Sequence, residues 1–428
     1  MNYNSRGMPR VLILLPTATY RASDFVDAAA RLGVDIVVGS EYRQAMADSM
    51  GDRALVVPLR GGDAAMGAAV DAIVALHGRT PLDAVVAVDD QGVSVAAAAA
   101  ERLGLRHNPP AAVAATRDKA AMRAALASAS VRQPDYRVVA PRAHVATAAG
   151  AVGYPCVVKP VSRSASQGVI RVDDAEQADA AGVRVRAILG DCEEPLLVER
   201  FVDGAEVAVE ALLVGGRLDL LAVFDKPDPL NGPFFEETIY VTPSRHPATV
   251  LDALTVATTR AAAALGLSEG PVHAELRIGA GGEVTMLELA ARSIGGLCSR
   301  ALRFGAGVSL EEVILRQALG LGLDGLEREA QASGVMMLPI RAGGILERVT
   351  GQDEALSVEG IVGVEISIVA GRPVVPLPEG DRYLGFVFAR GATAEDVEGA
   401  LRRAERCLRV ELRGTVARQR IRSGQASP

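Results

Sequence analysis

Apolar residues in the first hundred positions fall into short runs separated by longer amphipathic stretches. "VLILLP" (11–16), "DIVVGS" (35–40), "ALVVPL" (54–59) and "DAVVAV" (83–88) have the length and β-branched content of strands. Helical patterns lie between and after them, near 23–32, 41–50, 63–78 and 92–103. A βαβα alternation predicts a parallel sheet with helices on its faces. Ligands of such sheets sit beyond the carboxyl ends of the strands, where Thr17, Thr19, Asp89 and Asp90 stand. Asp89-Asp90 reads equally as a polar loop that caps a helix. The stretch after the first strand, "TATYRASD", lacks the GxGxxG spacing, which disfavours a nicotinamide dehydrogenase.

Pro109-Pro110 cannot continue a helix and mark the passage to a new unit. A helix is predicted near 116–128, strands at 154–161 and 168–173, a helix at 175–190, and strands at 195–202 and 206–214. Strand and loop fill 218–243, and a helix covers 247–266. "SLEE" (309–312) has the form of a capping box and should open a helix to about 320. The last unit offers strands at 336–341, 362–369 and 383–389 and a helix near 394–407.

The chemistry concentrates in "HAELRIGAGGEVTMLELAAR" (273–292). With Gly281-Gly282 as the two central residues of a tight turn, Ala280 pairs with Glu283 and Glu275 lies opposite Glu288. One face then carries Ala274, Leu276, Ile278, Leu287 and Leu289. The other carries His273, Glu275, Arg277, Met286 and Glu288, with Arg292 beyond. Cβ atoms so placed lie about 5 Å apart, and at an effective dielectric of about 20 the two charges repel by roughly 3 kcal/mol. Either Arg277 and Arg292 or a divalent cation must compensate.

Three further stretches bear on that choice. "YPCVVKPVSRSASQGVIRV" (154–172) ends an apolar strand in Lys159 and continues into the small residues Ser162, Ser164, Ala165, Ser166 and Gly168. Such a loop lets backbone N–H groups approach phosphate oxygens, although an ordinary hairpin loop has the same composition. "TRDKAAMRAAL" (116–126) puts Lys119 in the first turn of a helix, where a cation opposes the dipole unless an anion is near. "EPLLVERFVDGAEVAVEAL" (194–212) reads as a hairpin turning at Asp203-Gly204, with Glu206 opposite Phe201 and Glu199, Glu206 and Glu210 among apolar residues. The backbone of Arg200 and Val202 could read a purine there, with Glu206 on ribose hydroxyls.

Composition narrows the classes. The chain has 428 residues, a net charge of −7 and 4% aromatics with no tryptophan, so nucleic acid and anionic membranes are disfavoured partners. No uncharged apolar run reaches the 18 residues of a bilayer span. The four cysteines (Cys156, Cys192, Cys298, Cys407) have no CxxC spacing and read as reduced core thiols of a cytoplasmic protein.

The order Lys119, Lys159 with its loop, Glu199–Glu206, then Glu275 and Glu288–Arg292 resembles the ATP-grasp superfamily over residues 10 to about 412. "DDQG" and "AERLGLRHNPP" look like its pre-ATP-grasp domain. "HAELRI…LELAARSIGG", "FDKPDPLNGPFFEETIYVTPS" and "PEGDRYLGFVFARG" are similar to the L-amino-acid ligases, the bacilysin-type dipeptide synthetases. The resemblance implies an α/β ATP-grasp fold in these units: a Rossmann-like parallel-sheet domain (1–112), a lid or central subdomain (113–200), a core with the metal hairpin (201–334), a C-terminal α+β unit (335–414) and a disordered tail (415–428).

It also implies roles. Lys119 and Lys159 contact ATP phosphates, and the loop with Ser164, Ser166 and Gly168 closes over them. The Arg200 carbonyl and Val202 N–H, flanking Phe201, read adenine, with Glu199 and Glu206 on the amino-group side and ribose. Glu275 and Glu288 hold Mg²⁺, or Mn²⁺ in its place. Arg292 binds a substrate carboxylate or the tetrahedral intermediate, with N–H groups near Ser293–Gly296. Many superfamily members have Glu-x-Asn-x-Arg here; Ala290 stands at the asparagine position and cannot ligate metal. The implied activity is an ATP-dependent carboxylate–amine ligase for amino acids or similar small acids and amines, with a homodimer as the family's suggestion. A biotin- or purine-type carboxylase and a non-catalytic nucleotide-binding protein are the alternatives. Phe234, Phe235, Tyr240, Met336 and Met337 are candidate pocket residues or plain core.

Overall fold

The structure is a computed structural model that describes residues 7–16, 19–43 and 51–414. Thr17, most of the helix expected at 41–50 and the expected disordered tail lie outside the described residues. The first unit is a parallel sheet ordered β3-β2-β1-β4, from β1 (Arg10–Leu14), β2 (Asp35–Ser40), β3 (Ala54–Val56) and β4 (Ala84–Ala87). Helices Ala22–Leu32, Asp63–Arg79 and Val93–Leu103 cover it, as the alternation predicts. Leu12, Leu14, Val37 and Val85 pack on one face and Val11, Ile13, Val38 and Val86 on the other, so the strands are apolar throughout.

The helix expected at 116–128 is two helices, Pro110–Arg117 and Lys119–Ser128, broken at Asp118. Pro110 opens a helix, as proline can at a first position. Asp118 then caps the second one, accepting from the N–H groups of Ala120 (2.8 Å) and Ala121 (3.0 Å).

A second sheet, ordered β5-β8-β6-β7, contains β5 (Tyr136–Val139), β6 (Cys156–Pro160), β7 (Ile170–Val172) and β8 (Leu196–Arg200). The third holds β9 (Ala205–Val214), β10 (Arg217–Asp225), β11 (Ile239–Thr242), β12 (Gly270–Ile278) and β13 (Val284–Ala290). After these come β14 (Ala332–Leu338), β15 (Gly344–Thr350), β16 (Ile361–Ile366), β17 (Pro373–Val374), β18 (Gly385–Gly391) and β19 (Arg409–Arg413). β14, β16 and β18 extend the third sheet into eight strands, β13-β12-β9-β10-β11-β14-β18-β16, while β15, β17 and β19 form a small sheet of their own. One continuous sheet therefore carries the β12–β13 hairpin at one end and the C-terminal unit at the other.

The hairpin expected at 194–212 does not form. β8 pairs with β5 and β6, and β9 with β10 and β12, so Phe201–Gly204 crosses between two sheets and Glu206 faces Arg277 rather than Phe201. The chain bends at Gly204 (φ +118°) without forming the expected hairpin turn, so it is reoriented instead of folded back. Helix Ala248–Leu265 is long and apolar enough to span a bilayer by length and composition. It nevertheless carries Asp252 and Arg260 and buries Leu254, Ala261 and Leu265 against the large sheet. All four cysteines are free, and Cys192 is exposed rather than in the core.

Candidate active site

Glu275 and Glu288 do face each other across β12 and β13, by a different route from the one expected. The turn spans three residues between Gly279 and Glu283, whose N–H and C=O meet at 2.9 Å, with Gly282 at φ +81°. That shifts the register by one. A bulge at Leu287 shifts it back, because Leu276 pairs with Met286 and Glu275 with Glu288. Met286 therefore lies in the core with Leu276 and Leu289, and Leu287 does not; their expected faces are exchanged. The Leu287 carbonyl, displaced from the ladder, accepts from the Arg123 guanidinium.

Neither expected arginine compensates the two carboxylates. Arg277 is buried against Glu206 (3.0 Å) and the Val202 carbonyl (2.9 Å). Arg292 pairs with Asp90 at 2.8 Å. Lysines do the work instead: Lys119 Nζ lies 3.1 Å from Glu288 and Lys226 Nζ 3.1 Å from Glu275. Lys119 is thereby held at a helix start by the anion its position requires, and it also donates to the Arg163 carbonyl at 2.6 Å.

Burial separates the acidic groups into two kinds. The side chains of Glu199, Glu206 and Glu210 are 5%, 9% and 1% exposed, whereas Glu275 and Glu288 are 25% and 28% exposed. Among these five, the opposed pair is the part left accessible to a ligand. Hard carboxylate oxygens on neighbouring strands fit a magnesium ion. Glu206, Glu237 and Glu275 also converge within 4.8 Å, around Lys226, which contacts them at 2.8, 2.5 and 3.1 Å. Burial works against the Lys226 charge, but these three carboxylates outweigh it and hold its pKa well above the usual lysine range. Burial likewise opposes the Glu275 carboxylate, yet Lys226 and His273 keep its pKa well below the usual range.

Lys159 ends β6 as expected and meets Glu199 at 2.6 Å. The other Glu199 oxygen takes Arg123, also at 2.6 Å, from a guanidinium with no exposure. Burial raises the Glu199 pKa, but Arg123 and Lys159 prevail and bring it to about 2. Burial, with Arg123 and Lys119 near, lowers the Lys159 pKa against the pull of Glu199. In this geometry Glu199 seats Lys159, and both Glu206 oxygens are taken by Lys226 and Arg277.

The loop after Lys159 carries Ala165, Ser166 and Gly168 in the left-handed region (φ +53°, +55° and +74°). It is docked on the C-terminal unit: Gly168 N–H donates to the Pro378 carbonyl (2.8 Å), Gln167 to the Glu379 carbonyl (2.9 Å), and Arg184 grips the Glu379 carboxylate at 2.8 and 3.0 Å. Arg200 is exposed, and Phe201 lies beneath the guanidinium of Arg171 at 4.5 Å. Asp90 joins the site from the first unit, between Arg292 and Arg117 (2.9 Å). Burial would raise its pKa, but Arg292 and then Arg117 hold it well below the carboxylate range. Tyr240 and Tyr383 both donate to Glu237, at 2.6 and 3.1 Å. Phe235 lines a small cavity with Glu237 and Tyr383, whereas Met336 and Met337 are core and Phe234 packs under Arg184 (5.0 Å).

Comparison with known proteins places this geometry. Residues 26–107 match the ATP-grasp N-terminal domain, 152–301 the ATP-grasp domain, and 336–413 the L-amino acid ligase C-terminal domain 2. The chain is an ATP-grasp protein. The crystal structure of an L-amino acid ligase from Bacillus licheniformis superposes with a TM-score of 0.78 at 24% identity, covering 95% of this chain and 99% of that one. Carboxyaminoimidazole ribonucleotide synthase from Aspergillus clavatus, complexed with ATP, gives 0.73 at 16% identity over 94% and 98%. In sequence, alanine–anticapsin ligase of Bacillus subtilis is 27% identical over 266 residues. That match covers 58% of the ATP-grasp chain and 56% of the ligase, so the chain spans little more than half the length of this curated relative.

Sequence reasoning missed Arg123, Lys226 and Glu237 as members of the site. Arg123 and Lys226 are lone basic residues whose meaning depends on partners 76 and 49 residues away. Glu237 had a signal, since "FEE" sits in an otherwise apolar stretch.

Proposed function

We propose that this ATP-grasp protein is an ATP-dependent carboxylate–amine ligase joining L-amino acids, or small acids and amines of that kind, with release of ADP and phosphate. The observation that carries the reading is the pair of open carboxylates, Glu275 and Glu288, opposed on one hairpin between the phosphate-side lysines and Arg292. Lys119 and Lys159 approach the triphosphate, and the docked 162–168 loop keeps water from it. The strand crossing at Arg200–Val202 takes the adenine, while Glu206, with both oxygens held by Lys226 and Arg277, is left out of the ribose contact. Glu275 and Glu288 would hold Mg²⁺ or Mn²⁺, which supplies charge neutralisation on the triphosphate. A substrate carboxylate oxygen attacks the γ-phosphorus as the bond to ADP breaks, giving an acyl phosphate. The amine then attacks the acyl carbon, a tetrahedral oxyanion forms, and phosphate departs. Arg292, kept charged and oriented by Asp90, faces that oxyanion. The reading carries with it small-molecule substrates and a cytoplasmic setting.

The test is ADP and phosphate release with mixed L-amino acids, with products read by mass spectrometry. Amino-acid-dependent ADP together with a new amide is the expected result. ADP formation that depends on bicarbonate instead points to a carboxylase, and nucleotide binding without turnover to a scaffold.

A further inference from the structure

Glu210 is used by none of the roles above, yet it is the most deeply buried carboxylate around the site, 1% exposed on the central strand β9. Its neighbours Val209, Ala211 and Leu212 are core residues, and burying a carboxylate among them is costly unless every oxygen is satisfied. Both oxygens are. One contacts His273 Nδ1, directly across the β9–β12 ladder. The other accepts the Ile294 N–H at 2.9 Å. His273 in turn presents Nε2 to the Glu275 carboxylate at 3.6 Å.

The Ile294 end matters because the chain leaving the hairpin is held on every side. Arg292 donates to the Ser293 carbonyl (2.9 Å), and Arg21, fully buried in the first unit, donates to Ser293 Oγ (2.8 Å) and the Ile294 carbonyl (3.1 Å). Glu210 supplies the remaining restraint, on the N–H. With that N–H committed, the backbone donors left in this loop for an oxyanion are those of Ser293, Gly295 and Gly296. The expectation that N–H groups throughout Ser293–Gly296 serve that charge is narrowed accordingly.

We propose that Glu210 is a positioning residue: through His273 it orients Glu275, and through Ile294 it sets the face that the 293–296 loop turns to the reacting carbonyl. The proposal rests on the ligase reading and extends it, since one buried carboxylate links the phosphoryl-transfer half of the site to the amide-forming half. Partners standing behind ligating groups typically change affinity or activity by about 10- to 100-fold when replaced.

The experiment uses the full chain and the isosteric Glu210→Gln, which keeps an acceptor for Ile294 but loses the charge facing His273. Turnover is read as two products, ADP and amide, and backbone order as hydrogen exchange by mass spectrometry. A fall in amide formation of about 10-fold or more is expected, with the ratio of ADP to amide at least doubled. Peptides covering 273–277 and 292–297 should exchange faster while β14 and β18 keep their protection. A merely structural loss lowers both products together and leaves the ratio alone. A working wild type with an unchanged ratio and unchanged exchange in Glu210→Gln overturns the proposal by itself. Silence of the wild type with every amino-acid pair overturns the ligase reading and the proposal with it.

Discussion

Replacing Glu199 by glutamine separates two roles that this residue could hold. The substitution leaves Arg123, with no exposure, and Lys159, 10% exposed, without the carboxylate they share at 2.6 Å on either side. Two routes give the cost. The descent of the Glu199 pKa from 4.5 to about 2 corresponds to roughly 3 kcal/mol of stability at neutral pH. Removing one partner of a buried ion pair costs about 3–5 kcal/mol. The sign follows from the direction: a depressed carboxylate stabilises the fold above its unfolded value near 4.5, and the contribution drains away as pH falls toward about 2. Chemical denaturation at pH 7 should therefore show a loss of roughly 3 kcal/mol in Glu199→Gln, and the gap between wild type and variant should narrow below pH 4. The variant should also bind ATP less tightly as pH rises through the alkaline range. Without Glu199, burial and the nearby Arg123 and Lys119 pull the Lys159 pKa lower still. A variant of wild-type stability, whose weakened ATP binding is the same at pH 7 and pH 10, would refute the seat for Lys159 and return Glu199 to the adenine.

Glu288→Gln should cut turnover by at least about 100-fold with only a small drop in melting temperature from the lost contact with Lys119; near-normal rates would remove Glu288 from the metal site. Arg292→Ala should lower amide formation more than ATP affinity, measured by product analysis beside calorimetric titration, and a dominant loss of ATP affinity would contradict its place on the substrate side. Arg184→Ala releases the grip on Glu379 but breaks a pair that is 44% and 28% exposed, so the effect should be small, about two- to fivefold in the KM for ATP, with more phosphate released per amide. Equal phosphate per amide in that variant would mean that the docked loop does not exclude water.

What could be read before folding was whatever depends on neighbours in sequence. The parallel sheet of the first unit, the helix opened by Ser309 and the placement of Lys119 follow from local periodicity and capping. Glu275 opposite Glu288 was legible only by fortune, because a two-residue turn and a three-residue turn plus bulge yield the same pair. The β8–β9 hairpin failed because an Asp-Gly turn says that the chain bends and not which sheet receives it. Arg277 and Arg292 were natural partners for the glutamates by proximity along the hairpin. Their actual partners, Glu206 and Asp90, are brought in by strand order and by the first unit. β15, β17 and β19 escaped because the charged central strand and the short, charged or proline-bearing edges of this small sheet carry little period-two signal.

The paired corrections in the β12–β13 hairpin give it a parity. A turn closed by Ala280 on Glu283, with the bulge kept, would carry Glu288 toward the apolar interior and Met286 out of it, whereas a β13 without its bulge would carry Glu288 inward and leave Met286 in the core. Both changes together would return Glu288 opposite Glu275 but leave Met286 and Leu287 with their faces exchanged. Relatives and engineered variants should therefore alter the loop length and the irregularity in concert, and a lone single-residue insertion or deletion between Gly279 and Leu287 should be far more damaging than its exposed position suggests.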